Sequence, residues 1–249
     1  MAGHSQFKNI MHRKGAQDAK RAKIFTKVTR EIISAVKTGV PDVSMNPRLR
    51  SAIQWAREEN MPNDKITAAI KRGSGGTDSD NFEEIRYEGY GPNGVAVIVQ
   101  ALTDNRNRAA ADIRALFSKH SGNMGETGSV SFMFSQMGVI VYPVSVASEE
   151  VIFEAALELG ADNCQTDKEN HTVTCERERF GELQAGLEKR FGEPTSAKLA
   201  WLPSTTSPVN KEQAESLMKL VDALEDNDDV QEVFTNADIP EDVVAALSA

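Results

Sequence analysis

The sequence predicts a multi-domain protein of α and α+β class. A basic three-helix bundle leads, followed by an α+β domain interrupted by an inserted ferredoxin-like βαββαβ domain. Three observations carry this. Residues 1–75 hold fifteen Lys/Arg against six Asp/Glu, and residues 76–249 hold thirteen against thirty-one. Apolar residues recur at helical spacing from about Asp18 to Arg72 and stop at a glycine-rich stretch. Residues 137–203 then spell strand, helix, strand, strand, helix, strand. The expected domains are residues 1–76 (arm and bundle), 77–135 with 204–249 (a discontinuous α+β domain), and 136–203 (the insertion).

Residues 2–17 have no sustained period. They place Lys8, His12, Arg13 and Lys14 beside Phe7, a basic arm with one aromatic that suits phosphates and an exposed base. From about Asp18 the pattern is helical. Ile24, Val28, Ile32 and Val36 recur every four residues, and Phe25 and Ala35 widen the stripe to roughly 120° of arc. Lys20, Lys23, Lys27, Arg30 and Lys37 gather in a separate arc of roughly 100°, with Arg21 alone on the apolar side. A solvated helix usually mixes signs, so a nearly pure cationic face points to a polyanion.

Gly39 and Pro41 end that helix. A second opens at Asn46-Pro47, burying Leu49, Ala52, Ile53 and Ala56 beside Arg48, Arg50 and Arg57. A third begins near Pro62, burying Ile66, Ala69 and Ile70 and leaving Lys65, Lys71 and Arg72 outside. The last two also read as a helix-turn-helix, with Asn63, Asp64 and Thr67 near base edges. Gly73 to Asp78 is unpatterned and serves as the domain boundary.

In the acidic body, Phe82–Gly91 and Gly94–Leu102 read as strands around a Gly-Pro-Asn-Gly turn. Asp104 or Asn105 caps a helix to about His120. Gly122 to Gly128 forms a loop before a strand at Ser129–Phe134. Within the insertion, helices are expected at Glu149–Leu159 and Arg179–Phe191. Cys164 and Cys175 are expected across from each other on its two central strands, as packed thiols. Asn210 with Gln213 makes a capping box for a long helix, then come a strand near Val230–Thr235 and a short helix after Pro240. Arg106, Arg108 and Arg114 form either a second contact surface or arginines paired with nearby carboxylates.

Several motifs together resemble the YebC/PmpR family. They include Gly3-His4-Ser5, His12-Arg13-Lys14, Ala16 to Arg21, Asn46 to Arg50, Asn60-Met61-Pro62 and Ala69 to Gly73. Tyr87 to Pro92, Leu102 to Arg108, Gly125 to Val130, Asp222 to Asp226 and Asp229 to Gln231 continue the match in order. Phe7 departs from it, where the family more often has Trp. The resemblance implies a helical head and two α+β domains, one inserted into the other, with no established catalytic residues. It implies cytoplasmic DNA-binding transcriptional regulators, or the translational activators that the family also contains.

The expected function is therefore a non-enzymatic, nucleic-acid-binding regulator of gene expression. Its partner is DNA, or ribosomal RNA and the ribosome, and a protein partner is possible through the inserted domain. An enzyme would need paired carboxylates for metal, a phosphate loop or a nucleophile with its base. The four His are scattered, and Asp226, Asp228 and Asp229 read as a solvated turn, so neither metal nor cofactor is expected. No apolar run of about 18 residues exists to span a membrane. No apolar stretch follows the N-terminus, and there are only two cysteines, so a reducing cytoplasm is expected.

Overall fold

A computed structural model describes residues 17–75, 81–240 and 243–244, with the backbone alone for residues 17–20. It has two compact units: residues up to Ser135 together with those from Leu202 onward, and Gln136–Trp201.

The first unit opens with α1 (Gln17–Thr38), α2 (Pro47–Glu58) and α3 (Asn63–Ser74). Asn46 starts α2 by accepting from Leu49 N, and its amide donates to Ala35 O and Val40 O, fixing the turn after α1. Val28, Ile32, Ile33 and Val36 share one core with Leu49, Ile53, Met61 and Ile66. The expected linker starts too early: α3 runs through Gly73 to Ser74. Gly73 is buried where α3 approaches α1 closely, and a Cβ there would stand 2.9 Å from Val36 Cβ.

The same unit holds a four-stranded sheet in the order β3 (Asn123–Met124), β1 (Glu83–Tyr90), β2 (Ala96–Thr103), β9 (Val230–Thr235). β1 and β9 both run antiparallel to β2. Val95 to Val99 are all buried, as a central strand requires. α4 (Arg106–Lys119) and α7 (Lys211–Glu225) pack Ile113, Phe117, Leu217 and Leu224 onto it. Asn105 caps α4, and the Asn210–Gln213 capping box is present in both directions. Short β8 (Ser207–Pro208) and β10 (Ala237–Asp238) pair in parallel. The helix expected after Pro240 falls largely outside the described residues.

The strand expected at Ser129–Phe134 is instead a 3-10 turn at Ser131–Met133 leading into β4 (Phe134–Pro143). The second unit continues β4, α5 (Glu149–Glu158), β5 (Asn163–Thr166), β6 (Asn170–Glu176), α6 (Phe180–Phe191) and β7 (Ser196–Pro203), in sheet order β5-β6-β4-β7. Ile140, Tyr142, Ile152, Val173, Leu183 and Leu187 form its core. The cysteines are not opposed as expected. Cys164, on edge strand β5, pairs with Val173, and Cys175 pairs with Gly138. Burial pushes the Cys175 thiol up to about 11 and raises Cys164 as well. Among the described residues, no helix is long and apolar enough to cross a membrane.

Candidate nucleic-acid interface

The cationic face of α1 has protein partners. Lys23 Nζ lies 2.5 Å from Asp226 Oδ2 and donates to Asp226 O at 3.1 Å. Lys27 Nζ donates to Glu225 O at 2.6 Å. Arg30 Nη1 donates to Asp228 O and to Asp229 Oδ1, each at 2.6 Å, and its guanidinium carbon stands 5.6 Å from the centre of the Phe82 ring. The acceptors are the last residue of α7 and the turn after it. A helix C-terminus leaves its final carbonyls without intrahelical donors and carries partial negative charge. Cations spaced four and three residues apart on α1 supply both missing terms.

This corrects the expectation that Lys23, Lys27 and Arg30 look out toward phosphate. Of the turn read as solvated, Asp226 and Asp228 are exposed as expected, whereas Asp229 is buried. Lys27 is only 7% exposed. Burial pushes its ammonium below the usual lysine value, against the upward pull of Glu225, Asp228 and Asp226. Lys20 lies on α1 with its side chain outside the described residues, and Lys8, His12, Arg13 and Lys14 lie outside them altogether.

Asp229 joins the head to the body. Its side chain is nearly buried and accepts from Arg30, from Arg108 Nη2 at 2.9 Å and from Thr103 Oγ1 at 3.1 Å. Its backbone carbonyl accepts from Leu102 N at 2.7 Å, so the carboxylate is held at the end of β2. Arg108 also meets Asp104 at 2.8 Å, and that hydrogen bond holds the Asp104 carboxyl below its ordinary value. Of the two readings of this segment, Arg108 takes the structural one. Arg106 and Arg114 are exposed, with no carboxylate partner among the described residues.

Other head cations are divided in the same way. Arg48 clasps Glu31 through Nε at 2.7 Å and Nη2 at 3.1 Å, and reaches Glu84 at 2.5 Å. Arg50 donates to the Val43 and Ser44 carbonyls, and Lys37 to Asn81 Oδ1 at 3.0 Å. Arg21, Arg57, Lys71 and Arg72 are exposed. Exposed cations thus remain on all three helices and on α4, in smaller number than the sequence suggested. The partners Asp229 and Glu225 escaped sequence reasoning. The available signal was three cations on one helical arc matched by three aspartates in one turn.

The loop Gly122 to Gly128 is fixed by Glu88. Its buried carboxylate accepts from Val130 N at 2.9 Å, Ser131 N at 2.8 Å and Arg86 Nε at 2.9 Å. Burial alone would raise the Glu88 carboxyl, but the amides of Val130, Gly128 and Ser131, together with Arg86, hold it below the ordinary value. The loop is therefore anchored around a protein anion. His171 is equally internal, with Nδ1 2.8 Å from Thr166 Oγ1 and Nε2 3.1 Å from Ala147 O. Among the described residues, no group of three His, Cys, Asp or Glu side chains is placed to hold a metal ion.

Comparison with known proteins follows the same division of the chain. Residues 5–76 match the model of the TACO1/YebC protein N-terminal domain, and residues 82–237 match that of the TACO1/YebC second and third domain. The crystal structure of a conserved hypothetical protein from Aquifex aeolicus is similar at 44% identity with a TM-score of 0.82. That match covers 91% of this chain and 94% of that one.

Proposed function

The chain belongs to the TACO1/YebC family, and from that premise we propose that it is a non-enzymatic, nucleic-acid-binding regulator of gene expression that works in the cytoplasm. The observation that carries this reading is the surplus of exposed cations on the helical head. After Lys23, Lys27, Arg30 and Arg48 are matched to protein acceptors, Arg21, Arg57 and Lys71 still face solvent. The sequence ahead of α1 supplies Lys8, His12, Arg13 and Lys14 as further cations for the same polymer. The head is a three-helix bundle in this reading, and Gln136–Trp201 is a ferredoxin-like insertion.

A DNA-binding transcriptional regulator is one form of this function, and an RNA- or ribosome-associated translation factor is the other. One observation favours the second. Sequence-specific DNA readout needs free polar side chains at the start of a recognition helix. On α3, Thr67 Oγ1 donates to Asn63 O at 2.9 Å and can only accept from a base, and Asp64, in the first turn, repels phosphate. That leaves Asn63 as the one exposed polar group of the three with both a donor and an acceptor. Scattered exposed cations suit backbone contacts on folded RNA.

The experiment is a pair of titrations, of duplex DNA and of structured ribosomal RNA fragments, run beside co-sedimentation with ribosomes. The variant Arg57→Glu/Lys71→Glu should weaken binding and lower its salt dependence by about one unit of slope per lost contact. Unchanged affinity in that variant sinks the head as the binding surface. Tighter binding to one short DNA sequence than to RNA overturns the RNA form.

A further inference from the structure

We infer that the outer face of α5 docks a cationic amphipathic segment of a partner protein. Ile152, Ala155 and Ala156 bury one side of this helix in the core of its unit. The remaining side leaves Val151 50%, Phe153 48% and Leu157 64% exposed. Phe153 and Leu157 stand one turn apart. At about 100° per residue, Glu150, Glu154 and Glu158 form the neighbouring row. The helix has four glutamates and no Lys or Arg. A helix that only covered a sheet would put polar groups where Phe153 and Leu157 stand.

Charge complementarity selects the occupant. The unit Gln136–Trp201 carries twelve acidic residues against six basic ones, and the acidic row lies directly beside the apolar ridge. Nucleic acid and anionic membrane surfaces are repelled by such a row. A helix or strand with Lys or Arg on one side and two apolar anchors beside them fits both stripes together. Glu158 meets Arg190 Nη1 at 2.8 Å, so the row is pinned against α6 at its C-terminal end. The inference does not depend on which polymer the head binds, because the head and this face belong to different units.

The probe is a fluorescent 18-residue peptide of Lys and Leu at helical amphipathic spacing, titrated into the full chain by anisotropy. Phe153→Ser/Leu157→Ser and Glu150→Lys/Glu154→Lys should each weaken binding at least tenfold while leaving the thermal transition in place. Glu182→Lys/Glu193→Lys, the same change of charge elsewhere on the unit, should leave binding within twofold. A peptide with the same charge and scrambled Leu positions should bind at least tenfold more weakly. Equal binding by the face variants and the parent, or equal binding of the scrambled peptide, overturns the inference. So does a concentration-dependent dimer in sedimentation velocity that Phe153→Ser/Leu157→Ser abolishes, because a second copy is then the occupant.

Discussion

Arg30 and Arg108 share a single buried carboxylate, that of Asp229, at 2.6 and 2.9 Å. One arginine comes from the N-terminal helix and the other from α4. The carboxylate is supplied by the turn before β9, and the contact with Thr103 completes its coordination. Asp229→Asn keeps the shape and removes the charge that both guanidinium groups face. We expect a loss of about 3 kcal/mol in urea unfolding, near the lower end for a broken buried pair because Arg108 is partly solvated. A loss under about 0.5 kcal/mol would show that the shared carboxylate is replaceable.

Arg108→Ala and Asp229→Asn should not be additive. The two groups are in direct contact, so a double-mutant cycle should give a coupling of about 0.5–3 kcal/mol. The pair Arg57→Ala and Asp229→Asn, with no shared contact among the described residues, is the matching control and should add within about 0.5 kcal/mol.

Lys27→Ala tests the helix-end contact without touching an ion pair in the strict sense, because the acceptor is a main-chain oxygen. Losing that hydrogen bond should cost about 1–3 kcal/mol. The same substitution should leave the salt dependence of nucleic-acid binding unchanged, whereas Arg57→Ala should lower it. Equal effects of both on the salt slope would mean that α1 releases its acceptors when the polymer binds.

Much of this architecture was legible in the sequence, and its limits have a physical source. Helix spacing placed α1 to α3 within a residue or two, because one amphipathic stripe decides where a helix lies. The Asn210–Gln213 pair was readable as a cap from residue type alone, whereas residue type left Asp104 and Asn105 both open and the structure chose Asn105. The fate of the cations was not. Whether Lys27 faces phosphate or the end of α7 depends on a contact between residues 198 apart, and no local pattern encodes it. Arg108 shows the limit in part: its pairing with Asp104 is a local i,i+4 contact, but its pairing with Asp229 spans 121 residues, and neighbouring Arg106 has neither.

Acid should loosen the Gly122–Gly128 loop first. The Glu88 carboxyl sits below its unfolded value of about 4.3, so its stabilisation is fully present above that pH. It is lost as pH falls through the lower folded value. Glu88→Gln should lower the melting temperature at pH 7 and flatten the acid limb below about pH 4.3. A parallel downward shift at every pH would assign the effect to packing.

Thiol titration of the native chain should be slow. Cys175 titrates at about 11 because burial disfavours its thiolate, and Cys164 is also raised, so few thiolates exist at pH 7.5. Unfolding in urea should release both thiols at once to a chromogenic disulfide. Fast labelling of one thiol in the folded state would place Cys164 in solvent more often than its half-buried position implies.

The Arg30–Asp229 contact also has a consequence in time. A chain is made from its N-terminus, and 199 residues separate these partners. At about 5–20 residues per second, α1 exists for about 10–40 s before residue 229 is added. Throughout that interval Lys23, Lys27 and Arg30 have no acceptor from the turn that later engages them. The newborn head is therefore a stronger polycation than the finished protein, and completing synthesis neutralises part of it.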